Sequence, residues 1–257
     1  MSATDHLLPM LATLTLWFAS TALIVWLDSR PRRTFGLSLT LAGFVAVGGI
    51  AAIALTATAA GSAAAYWSFT GALAIWGWHE MSFLMGALTG PRRIPCPPQA
   101  RGWLRFRLAT ATVIHHELAL AATAILLLAL SWGAPNQTGA QTFALLFALR
   151  LSAKLNIFIG VPNFGDELLP VHLAYLKSYF GHRSTNLLLP MSLAASVAVA
   201  AWYAAAAFGA EGGSAVSASL LFALAALGVL EHLFLVLPLR DATLWRWAAP
   251  AGAGARK

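Results

Sequence analysis

Apolar residues fall into seven long blocks, approximately 8–27, 35–58, 66–89, 108–132, 139–160, 187–208 and 215–238. Short polar or Gly/Pro-rich stretches separate them. An apolar span needs about 20 residues to cross the hydrocarbon of a bilayer. In lipid every backbone N–H and C=O must be satisfied within the segment, so such blocks cross as helices. The pattern predicts an all-α, polytopic membrane protein: a single membrane domain over 1–257 with about seven transmembrane helices. The division at Gly61–Ala65 carries no charge and is the least marked. The longest connection, 161–186, contains LLPVHLAYLKSYF, which reads as a short amphipathic helix on the membrane interface. GPRRIPCPPQARGW is Pro-rich and reads as extended.

Arginine and lysine add a direction. Arg30, Arg32 and Arg33 lie in the first connection, Arg92, Arg93, Arg101, Arg105 and Arg107 in or beside the third, and Lys177 and Arg183 in the fifth. Arg240, Arg246, Arg256 and Lys257 follow the last block. The second, fourth and sixth connections have none. This alternation predicts a periplasmic N terminus, a cytoplasmic C terminus and a cytoplasmic loop at 161–186. Tryptophans agree, with Trp67, Trp132 and Trp202 near the outer ends and Trp26, Trp103, Trp245 and Trp247 near the inner ends.

Composition fits the same picture. Of 257 residues 59% are hydrophobic and 10% charged, against roughly 25% charged in an average soluble domain. Seven spans and short loops leave no length for a separate soluble domain. The net charge of +7 sits in loops, so it reports topology and no basic face for nucleic acid exists. The single cysteine, Cys96, excludes an internal disulfide. Without a basic n-region or a small-residue cleavage site, the first block reads as a retained helix.

The chemistry lies in ionisable residues inside the apolar blocks. Three of the five glutamates are there, each beside a histidine: His79-Glu80, His115-His116-Glu117 and Glu231-His232. The fifth block adds Arg150 and Lys154, one turn apart, with Asn156 nearby. Glu80 lies about 12 residues before Arg92, Glu117 about 10 after Arg107 and Glu231 about 9 before Arg240, which puts all three roughly 13–18 Å from the arginine-rich surface. Each such group costs roughly 2.5–3.5 kcal/mol near a helix centre, so they must face inward and find partners.

Three readings stay open. Arg150 and Lys154 neutralise two carboxylates in a network of ion pairs. Alternatively His79, Glu80, His115, His116, Glu117, Glu231 and His232 supply ligands to iron, zinc or manganese, either side of each pair ligating or supporting. Third, the histidines serve a bacteriochlorophyll or haem, with Trp76 and Trp78 as aromatic walls, or a proton relay. Which of His115 and His116 faces inward is not decided by spacing. His6 reads as a solvated terminal residue, and His172 and His182 as interfacial. Cys96 in PCPP matches a Cys-Pro haem-regulatory dipeptide, a weak signal alone. The second and sixth blocks, rich in Ala and Gly and free of ionisable residues, read as scaffold helices.

The stretches WGWHEMSFLMGALTGPRR, HHELAL, PNQTG, RLSAKLNIFIGVPN, HLAYLKSYF and EHLFLVLPL, in that order over about Trp67 to Trp247, resemble the PuhE family of photosynthetic-complex assembly proteins of anoxygenic phototrophic bacteria. The resemblance implies the bacterial inner, intracytoplasmic photosynthetic membrane. It implies partners among reaction-centre and light-harvesting subunits or pigment-synthesis proteins, and a role in assembling them or in bacteriochlorophyll supply. It supplies no catalytic residues. The alternative from another class is a membrane metalloenzyme, di-iron-like or other, acting on a lipid-soluble pigment or quinone, with Arg150, Lys154 and Asn156 balancing charge or orienting substrate.

Overall fold

The structure is a computed structural model that describes residues 2–164, 169–183 and 186–237. Among these, seven long helices occur: α1 (Leu8–Asp28), α2 (Phe35–Thr56), α3 (Ser62–Leu84), α4 (Gly102–Leu130), α5 (Thr138–Ile159), α6 (Leu188–Phe208) and α7 (Gly212–Phe234). No strand occurs among the described residues. Six of the seven are long and apolar enough to cross a membrane. The other, α3, is long enough at 23 residues, but its Ser, Thr, Trp, His and Glu positions lower its hydropathy. The four basic residues of the tail, Arg240, Arg246, Arg256 and Lys257, with Trp245, Trp247 and part of the 161–186 connection, lie outside the described residues.

The burial pattern explains why α3 tolerates polarity. It runs through the middle of the bundle against α1, α2, α5 and α7. Phe69 and Ala72 on α3 are fully enclosed, as are Leu220 on α7 and Phe143 on α5. The outer faces of α2 and α4 are apolar and bare, with Phe44 at 72%, Leu55 at 81% and Ile125 at 68% exposure. Apolar faces outward and polar groups inward are the arrangement expected where lipid is the solvent.

Helix contacts follow small residues. A Cβ placed on Gly49 of α2 would stand 2.5 Å from the Gly71 carbonyl oxygen on α3, and one on Gly71 would stand 2.7 Å from that of Gly49. Only two glycines allow the backbones this close, which brings dispersion contacts that replace the absent hydrophobic drive between helices in lipid. Along α5, Asn156 is fully buried and its amide donates to Ser192 Oγ on α6 at 3.0 Å. At the N terminus His6 is buried, not solvated as expected, with its Nδ1 3.3 Å from Ser219 Oγ on α7.

The two largest departures from the expected boundaries are the end of α3 and the start of α4. The third apolar block continues to 89, but α3 stops at Leu84 because Gly86 adopts φ +76°. Beyond it Met85 is buried within the protein. Thr89 and Gly90 are buried on α4: the His116 N–H donates to the Thr89 carbonyl at 3.0 Å and the Arg92 N–H to the Ala111 carbonyl at 3.1 Å. A Cβ on Gly90 would meet the Ala111 oxygen. Non-helical backbone inside a bundle persists where protein satisfies it in this way. Helix α4 also begins six residues before the expected 108, since Arg105 reaches back to donate to the carbonyls of Phe158 (3.2 Å) and Tyr179 (2.6 Å).

The amphipathic segment of the fifth connection is a 3₁₀ helix, Val171–Tyr179. Its buried side chains, Leu173, Leu176 and Tyr179, recur every third residue, which is the 3₁₀ period. Leu173 and Leu176 pack with Phe83, Leu84 and Val113. Runs of 3₁₀ this long are uncommon alone. Here Tyr179 is fixed at both ends of its hydroxyl, accepting from Arg92 Nε at 2.6 Å and donating to the Ile94 carbonyl at 3.1 Å. The Cys96 N–H donates to Ser178 Oγ at 2.8 Å, so Cys96 belongs to the same tie between the two arginine-rich connections.

Candidate functional site

Helices α3, α4 and α5 bring the buried charges together as two ion pairs. Arg150 Nη2 stands 3.2 Å from Glu80 Oε2, and Lys154 Nζ stands 2.6 Å from Glu117 Oε1. Arg150 and Lys154 share one face of α5 because they are four residues apart. Lys154 also lies 5.4 Å from the centre of the Phe83 ring, where the ring face attracts a cation. Glu231, on α7, adds its field to Arg150. The ion-pair reading of the sequence therefore describes the geometry of Glu80, Glu117, Arg150 and Lys154.

These pairs line a cleft of about 1530 Å³ between α1, α3, α4, α5 and α7. Ligand sites of small molecules run roughly 300–1,000 Å³, so this one has room for a large ligand. Its wall is mainly apolar and aromatic, including Trp17, Ile24, Leu73, Trp76, Phe106 and Leu227. Its polar groups include Glu80, Arg150, Glu117, Lys154 and Glu231, with Asp28, Arg30, Arg32 and His172 also on the wall. The cations are the more exposed members of their pairs: side-chain exposure is 41% for Arg150 against 10% for Glu80, and 24% for Lys154 against 16% for Glu117. The cleft thus presents donors, with the counter-charges set behind them. Chemically, that favours an apolar body carrying carbonyl, carboxylate or phenolate oxygens.

The four histidines of the buried polar layer, His79, His115, His116 and His232, stand apart from this surface. His116 is fully buried and His115 exposed, which decides the choice that spacing left open. His79 Nε2 lies 3.0 Å from Thr123 Oγ1, and its ring centre 6.4 Å from that of His116. The His116 ring packs 4.8 Å from Phe83, and neither of its nitrogens has a hydrogen-bond partner among the described residues. His232 is held by Ser152 Oγ at 3.0 Å and the Gly228 carbonyl at 2.8 Å. None of His79, His115, His116 and His232 lines the cleft. Among the described residues no three His, Cys, Asp or Glu side chains converge in a way that could hold a metal ion. Glu80 and Glu117 each give one carboxylate oxygen to a cation, and His79 and His232 each place one ring nitrogen against a hydroxyl.

The remaining candidates divide as well. Trp76 lines the cleft and packs edge-on to Phe143, whereas Trp78 faces α2, with its Nε1 3.3 Å from a Cβ built on Gly43. Asn156 points to α6 and does not reach the cleft. Sequence reasoning missed the contribution of α1 and of the Met85–Arg92 turn. The closely spaced Gly86 and Gly90 were the available signal, since each sits where a side chain would collide.

A helical multi-pass membrane protein with a charge-paired interior cleft is the class that this fold and site define. The chain belongs to the family described as Protein of unknown function (DUF3623), whose model matches residues 3–256. It is also similar to the "Uncharacterized 30.4 kDa protein in puhA 5'region" of Rhodobacter capsulatus, at 38% identity over 246 residues, covering 94% of this chain and 90% of that protein. No solved structure matches.

Proposed function

We propose that this protein is an assembly factor for the photosynthetic reaction centre and its light-harvesting complex, and that it holds a lipid-soluble pigment or quinone in the cleft. The observation that carries the photosynthetic part is the location of the relative in the puhA 5′ region, at 38% identity over nearly the whole chain. The likeness to PuhE-type sequences points the same way. The cleft supports the ligand part, because two cations on an apolar wall suit a large amphipathic molecule with oxygen substituents. In this reading α3 crosses the membrane as the seventh span, its polar positions turned to protein. The N terminus is periplasmic and the C terminus cytoplasmic, following the arginines, in the intracytoplasmic photosynthetic membrane.

The test uses a phototrophic bacterium lacking its own copy of the protein. The wild-type chain is expected to restore the near-infrared absorption of assembled complexes. Arg150→Met combined with Glu80→Gln, and Lys154→Met combined with Glu117→Gln, which leave no uncompensated charge, are expected to reach the membrane at normal levels and restore less than about a tenth of it. Organic extraction of the purified wild-type protein should yield one pigment or quinone that both variants lack. Complexes that assemble at full yield without the protein would end the proposal.

A further inference from the structure

A second, smaller space of about 180 Å³ adjoins the cleft at its arginine-rich end. Three separate parts of the chain build it: Arg32 before α2, Met85 to Arg93 after α3, and the 3₁₀ helix through His172 and Tyr175. Arg32 and His172 line both spaces. The smaller one has two guanidinium groups, an imidazole and the hydroxyls of Thr89 and Tyr175, and no carboxylate among its lining residues. Among the described residues neither Arg32 nor Arg93 forms an ion pair. At roughly 30 Å³ per water, the space holds an anionic group with part of its hydration. His172 Nε2 donates to the Leu84 carbonyl at 2.7 Å, which fixes the ring, and Gly86 leaves room for it, since a Cβ there would lie 3.1 Å from His172 Cδ2.

Positive-inside topology puts arginines at this end of the bundle but does not require two of them, from different connections, to face one small space. We infer that Arg32 and Arg93 bind the phosphate of an amphiphile whose hydrocarbon body lies in the cleft. Guanidinium groups bind phosphate through paired, charge-assisted hydrogen bonds. Tyr175 O–H adds a neutral donor. The two spaces then form one site, polar at the arginine-rich membrane surface and apolar within. The inference rests on the cleft being a ligand site, as proposed above. It adds the chemistry of the ligand's head.

The probe is phosphatidic acid labelled with a fluorophore on one acyl chain, added to the full-length protein in detergent. The wild type is expected to bind it, and unlabelled phosphatidic acid to compete. Arg93→Gln should weaken binding about tenfold and Arg93→Lys much less, while Arg33→Gln, on the same connection as Arg32 but outside the space, should leave it unchanged. Size-exclusion profiles identical to wild type confirm that each variant is folded. Inorganic phosphate competing as well as phosphatidic acid would mean a free-anion site and overturn the inference. So would equal binding of the same labelled diacylglycerol, or an equal loss in Arg33→Gln, which would mark diffuse interfacial charge. Absence of binding alongside intact complex assembly would remove the headgroup site and leave the proposed function standing. Arginine-dependent binding in a protein dispensable for assembly would do the reverse.

Discussion

At Glu117 and Lys154 the protein carries a charge pair where lipid would surround a misplaced group. Removing one partner of a buried pair leaves the other uncompensated, which costs about 3–5 kcal/mol, whereas replacing both by apolar or neutral groups of similar size is often close to neutral. Lys154→Met should therefore lower thermal stability in detergent sharply, and Glu117→Gln combined with Lys154→Met should recover most of the loss. A double-mutant cycle of melting temperatures measures this. Additive effects would mean that the 2.6 Å contact contributes nothing. Recovered stability without recovered complex assembly would separate a binding role from a structural one. His172 allows a test by pH. Burial, with Arg32 and Arg93 close by, holds its imidazole below the usual 6.5, against the opposing effect of its bond to the Leu84 carbonyl. The folded state then binds fewer protons than the unfolded one as pH falls through that value. Docking of the 3₁₀ helix is fully present above pH 6.5 and weakens below it. Amide exchange in Val171–Tyr179, corrected for its intrinsic pH dependence, should speed up between pH 7 and 5, and His172→Gln should flatten that response.

Among the elements, the α2–α3 pair shows what sets helix spacing. Gly48 and Gly49 are neighbours in sequence with opposite surroundings. A Cβ on Gly49 meets the Gly71 carbonyl, and one on Gly48 meets nothing within 4 Å. Gly49→Ala should destabilise by about 1–3 kcal/mol through overpacking. Gly48→Ala should change stability by less than about 1 kcal/mol, in the favourable direction, since alanine is the better helix former. Unfolding midpoints of the two variants decide it, and equal values would contradict the close crossing. The same helices show how far the sequence could be read. Block edges placed α1, α2, α5 and α6 within about two residues, because apolarity ends where lipid ends. The edge of α3 was illegible, since Met85–Thr89 stays apolar after the helix has ended, where Gly86 lies against His172 and the Thr89 carbonyl accepts from His116. Adjacent His-Glu residues declared a buried polar layer, and their pairing with Arg150 and Lys154 was among the readings. Which face each pair turned to the cleft was not legible, because adjacent helical residues point about 100° apart and the cleft is made by five helices packing together.

For the molecule as a whole, the decisive question is whether α3 crosses. It alone among the seven long helices falls short of the apolarity of a membrane span, yet it carries Glu80 and lines the cleft. A helix screened from lipid by its neighbours does not need the hydropathy of one that is not, so the surrounding bundle removes the apparent conflict. If α3 crosses, its two flanking connections lie on opposite sides. In a Cys96→Ser background, a cysteine at Gly61, between α2 and α3, should react in intact cells with a membrane-impermeant maleimide, as should one at Trp132, which is 86% exposed. A cysteine at Ile94, between α3 and α4 and 57% exposed, should react only after the membrane is opened. Reaction of both the Gly61 and Ile94 positions from one side would make α3 a re-entrant element. The charge alternation of the loops would then fail. Glu80 would sit at the tip or wall of a hairpin, and the cleft would open toward the side from which α3 enters. The arginine bias favours the crossing, because a re-entrant α3 would put Arg92 and Arg93 on the opposite side of the membrane from Arg30, Arg32 and Arg33.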